Sequence, residues 1–184
     1  MSIRNLDTFG GRAARSIGRV LLFTLVTLAG MSAFGQDSNN LKFKGAIGVI
    51  PVTGVSATGT VNLNVVRNVP PGNPWRIASF DAVIMPDGRV KAVGRGLLLA
   101  AGNGIGTNAG QSVHVTLFCG SGSNTTSHDS PVSGVRLQAD GDFAIDDVLS
   151  PALPPTCATP TLLIRNVGGL WFAAGIQKLE SGQN

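Results

Sequence analysis

The sequence has no tyrosine, one glutamate (Glu180), two histidines and two cysteines, and only 13% of its residues are charged. Each scarcity removes a class of chemistry. Two histidines leave few general bases, and no close-spaced His or Cys pairs stand ready for zinc. With one glutamate, any paired-carboxylate chemistry must come from aspartates. Low charge and few amphipathic stretches of helical period argue against a helical protein. No run that is both uncharged and mostly apolar reaches the roughly 20 residues that a spanning helix needs.

The longest apolar run, Val20 to Phe34, has 15 residues and follows Arg4, Arg12, Arg15 and Arg19. A basic front, a short apolar centre and the small residues Ala33 and Gly35 have the form of a secretory signal. We read residues 1–35 as a signal helix cleaved between Gly35 and Gln36, with a retained anchor as the alternative. The formal net charge of +4 then misleads. Four Arg and one Asp fall in residues 1–35, so the remaining 149 residues carry ten Lys/Arg against nine Asp/Glu, a net +1. A nearly neutral domain has no electrostatic footprint for nucleic acid or for an anionic membrane surface.

What is present is Gly, Val, Leu, Ala, Thr and Ser, a composition of short strands and many turns. Residues 36–40 read as a flexible start, 41–177 as the folded domain and 178–184 as a polar tail. Leu41–Val52, broken by Gly45, Gly48 and Pro51, predicts a bulged or edge strand. Thr60–Val69 alternates Val61, Leu63 and Val65 against Asn62 and Asn64, which predicts a half-buried strand. Pro70 to Pro74 stops the ladder. Phe80, Ala82 and Ile84 share one face. Asp87-Gly88 marks a hairpin, and Val90, Ala92, Gly94 and Gly96 return on one face. Glycine at 94 and 96 predicts a bulky neighbour or a bend. Residues 101–110 and 121–131 read as long loops around the strand Gln111–Cys119. Val132–Gln138, the Asp140-Gly141 turn and Phe143–Leu149 form a second hairpin, and Thr161–Asn166 with Leu170–Gln177 a third. The sum is an all-β domain of about eight or nine strands, a single antiparallel β-sandwich or open barrel.

In an exported chain, Cys119 and Cys157 are expected to pair as a disulfide. Closing a separation of 38 residues would constrain the unfolded chain by about 3–4 kcal/mol in the loop-entropy picture. Several motifs come in a characteristic order: Pro71-Gly72-x-Pro74-Trp75, Asp87-Gly88-Arg89, Arg95-Gly96-Leu97, Gly104-x-Gly106-Thr107, Leu117-Phe118-Cys119, Gly141-Asp142 and Cys157-x-x-Pro160. Together they resemble a family of small uncharacterised exported bacterial proteins, over most of residues 41–177. The resemblance implies a bacterial exported domain with a paired cysteine, and carries no activity, cofactor or catalytic residue.

No constellation converges on catalysis. His114 and His128 are the only imidazoles, His128-Asp129 sits among Ser127 and Ser130, and no G-x-S-x-G elbow is present. Asp146 and Asp147 point to opposite faces of a strand. Asp140 and Asp142 flank a turn glycine, where Asp serves local hydrogen bonds, with calcium as the functional alternative. The glycine run 102–110 is followed by a strand, so it lacks the helix N-terminus of a phosphate loop. Asn124-Thr125-Thr126 matches a glycosylation acceptor, which has meaning only in a eukaryotic source. Trp75 and Trp171 read as core. The expectation is an exported, non-catalytic domain without a cofactor, secreted or periplasmic, with a structural or binding role. The alternatives are a glycan- or surface-protein-binding module using residues 101–110 and 121–131, and a hydrolase.

Overall fold

A computed structural model describes residues 39–179, so the signal segment, the Gly35–Gln36 junction and residues 180–184 lie outside the described residues. The chain is all-β, as its composition predicts, and its only helical element among the described residues is a 3-10 turn at Gly122–Asn124. None of these residues forms a helix long and apolar enough to cross a membrane.

Thirteen strands are present among the described residues: β1 (Leu41–Gly48), β2 (Val52–Val55), β3 (Val61–Leu63), β4 (Trp75–Arg76), β5 (Ser79–Ile84), β6 (Arg89–Arg95), β7 (Leu98–Leu99), β8 (Ser112–Cys119), β9 (Thr126–Asp129), β10 (Val135–Arg136), β11 (Phe143–Val148), β12 (Thr161–Asn166) and β13 (Trp171–Gln177). Nine of them form one antiparallel sheet in the order β10-β8-β12-β13-β1-β5-β6-β11, with β9 also on β8. The sheet curls into a half-barrel. Its far ends meet at an isolated bridge between Asp129 and Ser150. Two short pairs, β2–β3 and β4–β7, lie off this sheet.

The hairpin β5–β6 shows how the sequence builds the curl. Phe80, Ala82 and Ile84 alternate inward, and Ala82 and Ile84 face Ala92 and Val90 across the ladder. Phe80 faces Gly94, and Gly94 on its other side faces Phe143 of β11. The two phenyl rings meet at 6.4 Å over the glycine. A Cβ at position 94 would lie 2.1 Å from the Phe143 ring, so the bulky neighbour expected from the sequence is Phe143. Gly96, at φ +63°, supplies the expected bend, and the strand breaks before Leu98.

Of the two readings of the first strand, bulged or edge, the bulged one is observed, between Phe43 and Ala46, with β1 paired to both β13 and β5. The structure corrects two readings. Thr60–Val69 is not half-buried, since Val61, Leu63 and Val65 are all exposed. Residues 121–131 are not one loop, because Thr126–Asp129 pairs along β8.

The core is one cluster that includes Phe43, Phe80, Leu117, Leu162, Ile164 and Trp171. Strand β8 is buried on both faces, with Val113, Val115 and Leu117 on one and His114, Thr116 and Phe118 on the other. Trp75 stacks on Phe172 at 4.2 Å, and the buried Trp171 donates its Nε1–H to the Asn64 carbonyl. Both tryptophans are core residues, as read from the sequence. The Cys119–Cys157 disulfide is formed.

Candidate functional site

Two places concentrate polar chemistry. The first is on β12-β8-β9. Cross-strand register sets Arg165 opposite His114 and Asp129 opposite Thr116, so the four side chains share one face. The Thr116 hydroxyl donates to the Asp129 carboxylate and accepts from Arg165 Nη1. Arg165 Nη1 lies 3.6 Å from Asp129 Oδ1, and its outer nitrogens donate to the Gly169 carbonyl. A half-buried carboxylate and guanidinium thus neutralise each other and keep further hydrogen-bond partners.

His114 completes this cluster without joining its hydrogen bonds. Its Nε2 is 3.8 Å from Asp129 Oδ1, and its buried Nδ1 has no partner. Burial first, then the Arg165 charge, push its pKa below the ordinary 6.5; Asp129 pulls the other way. The imidazole is therefore neutral at pH 7.

The histidines are not assembled for nucleophilic catalysis. Ser130 spends its hydroxyl as acceptor for the Val115 amide. His128, next to Asp129 in sequence, points elsewhere: its Nε2 meets the Thr126 hydroxyl at 2.9 Å and its Nδ1 the Pro151 carbonyl at 2.8 Å. Cys119 lies five residues from His114 on one strand, roughly 17 Å away and on the alternate face, and is bonded to Cys157.

The remaining sequence candidates fall into structural roles. Asp140 Oδ1 accepts the Asp142 amide at 3.1 Å, and Asp142 Oδ1 accepts the Gly96 amide at 2.9 Å. The first closes the turn itself, and the second ties the turn to the end of β6. No group of three or more His, Cys, Asp or Glu converges among the described residues. Asp146 pairs with Lys91 at 3.0 Å on the outer face. Residues 101–110 are folded on themselves through Ile105, Gly106 and Thr107 amides, and Asn108 ties them to the Leu137 and Gln138 carbonyls.

The second place is a cleft of about 500 Å³ at one mouth of the curled sheet. Four separate stretches form it: 39–42 entering β1, 84–86 in the β5–β6 turn, the proline-rich 153–157, and 177–179 leaving β13. Leu41, Ile84, Leu153 and Pro155 give it apolar walls; Asn40, Thr156 and Gln177 give it polar points. Asn40 Oδ1 is buried there and has no hydrogen-bond partner. A buried acceptor left unpaired costs about 1–3 kcal/mol. Cys157 lines the cleft, so the disulfide fixes one wall. Mouths of curled sheets and volumes of roughly 300–1,000 Å³ are usual for small-ligand seats.

Sequence reasoning did not find this cleft. Its residues are distant in the chain, and the only local signal was the proline-rich run before Cys157. In comparisons with known proteins, no family model, no curated protein and no solved structure matches the chain.

Proposed function

We propose that the chain is an exported, non-catalytic binding domain of the bacterial envelope, and that its ligand seat is the cleft at the mouth of the half-barrel. The observation that carries this reading is the cleft of about 500 Å³ itself, with the apolar walls Leu41, Ile84, Leu153 and Pro155 beside the polar Asn40, Thr156 and Gln177. The matching ligand is a hydroxylated molecule with an apolar face, of which a short glycan is the leading class. Sugar hydroxyls would meet the polar Asn40, Thr156 and Gln177, and the C–H face of a ring would lie on Leu153 and Pro155. Support for a non-catalytic role comes from the histidines: neither has a nucleophile and an orienting acid in reach. Support for export comes from the signal-like front of the sequence, the resemblance to exported bacterial proteins and the disulfide, which is compatible with an oxidising compartment.

The test is a glycan array, followed by titration calorimetry on any hit. Wild-type protein will bind at least one glycan, and Leu153→Trp, which fills the cleft, will abolish binding while the β-sheet circular-dichroism signal stays intact. Asn40→Ala will weaken binding about tenfold, the loss of one well-placed hydrogen bond. Binding that survives Leu153→Trp would place the ligand elsewhere and sink the assignment.

A further inference from the structure

The hairpin β2–β3 leaves uncovered what the rest of the domain covers. Val52 faces Leu63 and Val55 faces Val61 across the pair. Val61 and Leu63 are two residues apart on one strand, so they share a face. A bulge between Val52 and Gly54 brings Val52 and Val55 to that same face. All four side chains are exposed, Val55 at 63% and Leu63 at 59%, and Ile50 and Val65, which flank the hairpin in sequence, are exposed as well. The other face carries Thr53 and Asn62. The hairpin is amphipathic, with its apolar side in water.

Its base is held firmly. The Asn64 amide donates to the Pro51 carbonyl, its side chain to the Ile50 carbonyl, and its own carbonyl accepts the Trp171 indole. The two strands pair only with each other. A two-stranded ribbon is marginal in water unless something packs on it, and an apolar face rimmed by polar residues marks an interaction site.

The chemistry selects the occupant. From Gly45 to Val66, 22 consecutive residues carry no Asp, Glu, Lys or Arg, and no Trp, Tyr or Phe. A partner with a charged surface would find no counter-charge. A lipid surface would find neither the basic rim nor the aromatic anchors by which interfacial segments hold. The complement of an uncharged aliphatic face is another such face, and the hairpin of a second copy supplies one. We propose that this hairpin is a self-association surface, packing apolar face to apolar face across a two-fold axis, as two sheets pack in a sandwich. The proposal is independent of the cleft, which is lined by other residues.

The contact is small beside the roughly 800 Å² per partner of a standard interface, so the dimer is weak and concentration-dependent. Sedimentation velocity of the protein recovered from an exporting host, from about 1 µM to about 1 mM, will show a monomer–dimer equilibrium within that range. Leu63→Lys and Val55→Lys will each raise the dissociation constant at least about tenfold. Thr53→Lys and Asn62→Lys, on the opposite face, will not, and neither will Ile105→Lys, an exposed aliphatic far along the chain. All five positions are exposed, so the thermal midpoints will match the wild type. A wild type that stays monomeric at about 1 mM, or dimers unaffected by Leu63→Lys and Val55→Lys, would overturn the proposal. So would cosedimentation with phosphatidylcholine vesicles that Leu63→Lys abolishes, since lipid would then be the occupant.

Discussion

At the scale of the residue, the domain rests on pairs in which one member gives way to the other. Gly94 is flanked in register by Phe80 and Phe143, and its missing side chain is the space the rings occupy. Gly94→Ala will therefore destabilise the domain by about 1–3 kcal/mol, the usual cost of overpacking, measured by urea denaturation. In the double variant Gly94→Ala/Phe143→Leu the two penalties will not add, because they concern one volume. Additive penalties would mean the ring and the glycine do not compete for it. His114 makes a different kind of pair with Arg165. Its folded pKa lies below the unfolded value near 6.5, so below that pH the unfolded chain binds more protons than the folded one. Stability is thus full above about pH 7 and falls as the pH drops from about 6.5 towards the folded pKa. His114→Gln removes this titration, and the slope of unfolding free energy between about pH 7 and pH 5 will flatten in the variant. An unchanged slope would assign the titration to other groups.

At the scale of the element, the covalent tie joins the end of β8 to the proline-rich segment before β12. Replacing both cysteines by alanine will lower stability by about 3–4 kcal/mol, from the loop of 38 residues released in the unfolded state. Guanidinium denaturation of the two proteins gives the difference, and a loss below about 1 kcal/mol would mean that the unfolded chain is already compact there. The elements also show what was readable beforehand. β5, β6 and β11 were legible because one face meets the core and the other water, so alternation reports burial directly. The glycine turns at Asp87-Gly88 and Asp140-Gly141 were legible because both glycines take positive φ, +87° and +83°. β9 was not, since Thr126–Asp129 contributes only polar residues and so shows no apolar alternation. β3 misled for the opposite reason. Alternation shows that a strand has an apolar face, and says nothing about whether anything covers it. The site was the least legible part. Asn40, Leu153 and Gln177 meet only after the sheet curls, and the Arg165–Asp129 pair depends on the register of three strands.

At the scale of the whole molecule, the disulfide ties the fold to its compartment. The disulfide wall of the cleft needs an oxidising environment to persist, and the front of the sequence has the form that would deliver the chain to one. The two are linked in a single preparation. Protein recovered from an exporting host will have an intact mass beginning at Gln36, and its thiols will take up an alkylating reagent only after reduction. Because Cys157 lines the cleft, reduction will also loosen the 153–157 wall. Glycan binding will then weaken at temperatures where the β-sheet circular-dichroism signal is still intact. A chain that begins at Met1 and labels two thiols without reduction would remove the export reading. It would leave the domain without its covalent tie, and the cleft wall would have to be held by packing of Leu153 and Cys157 against the core alone.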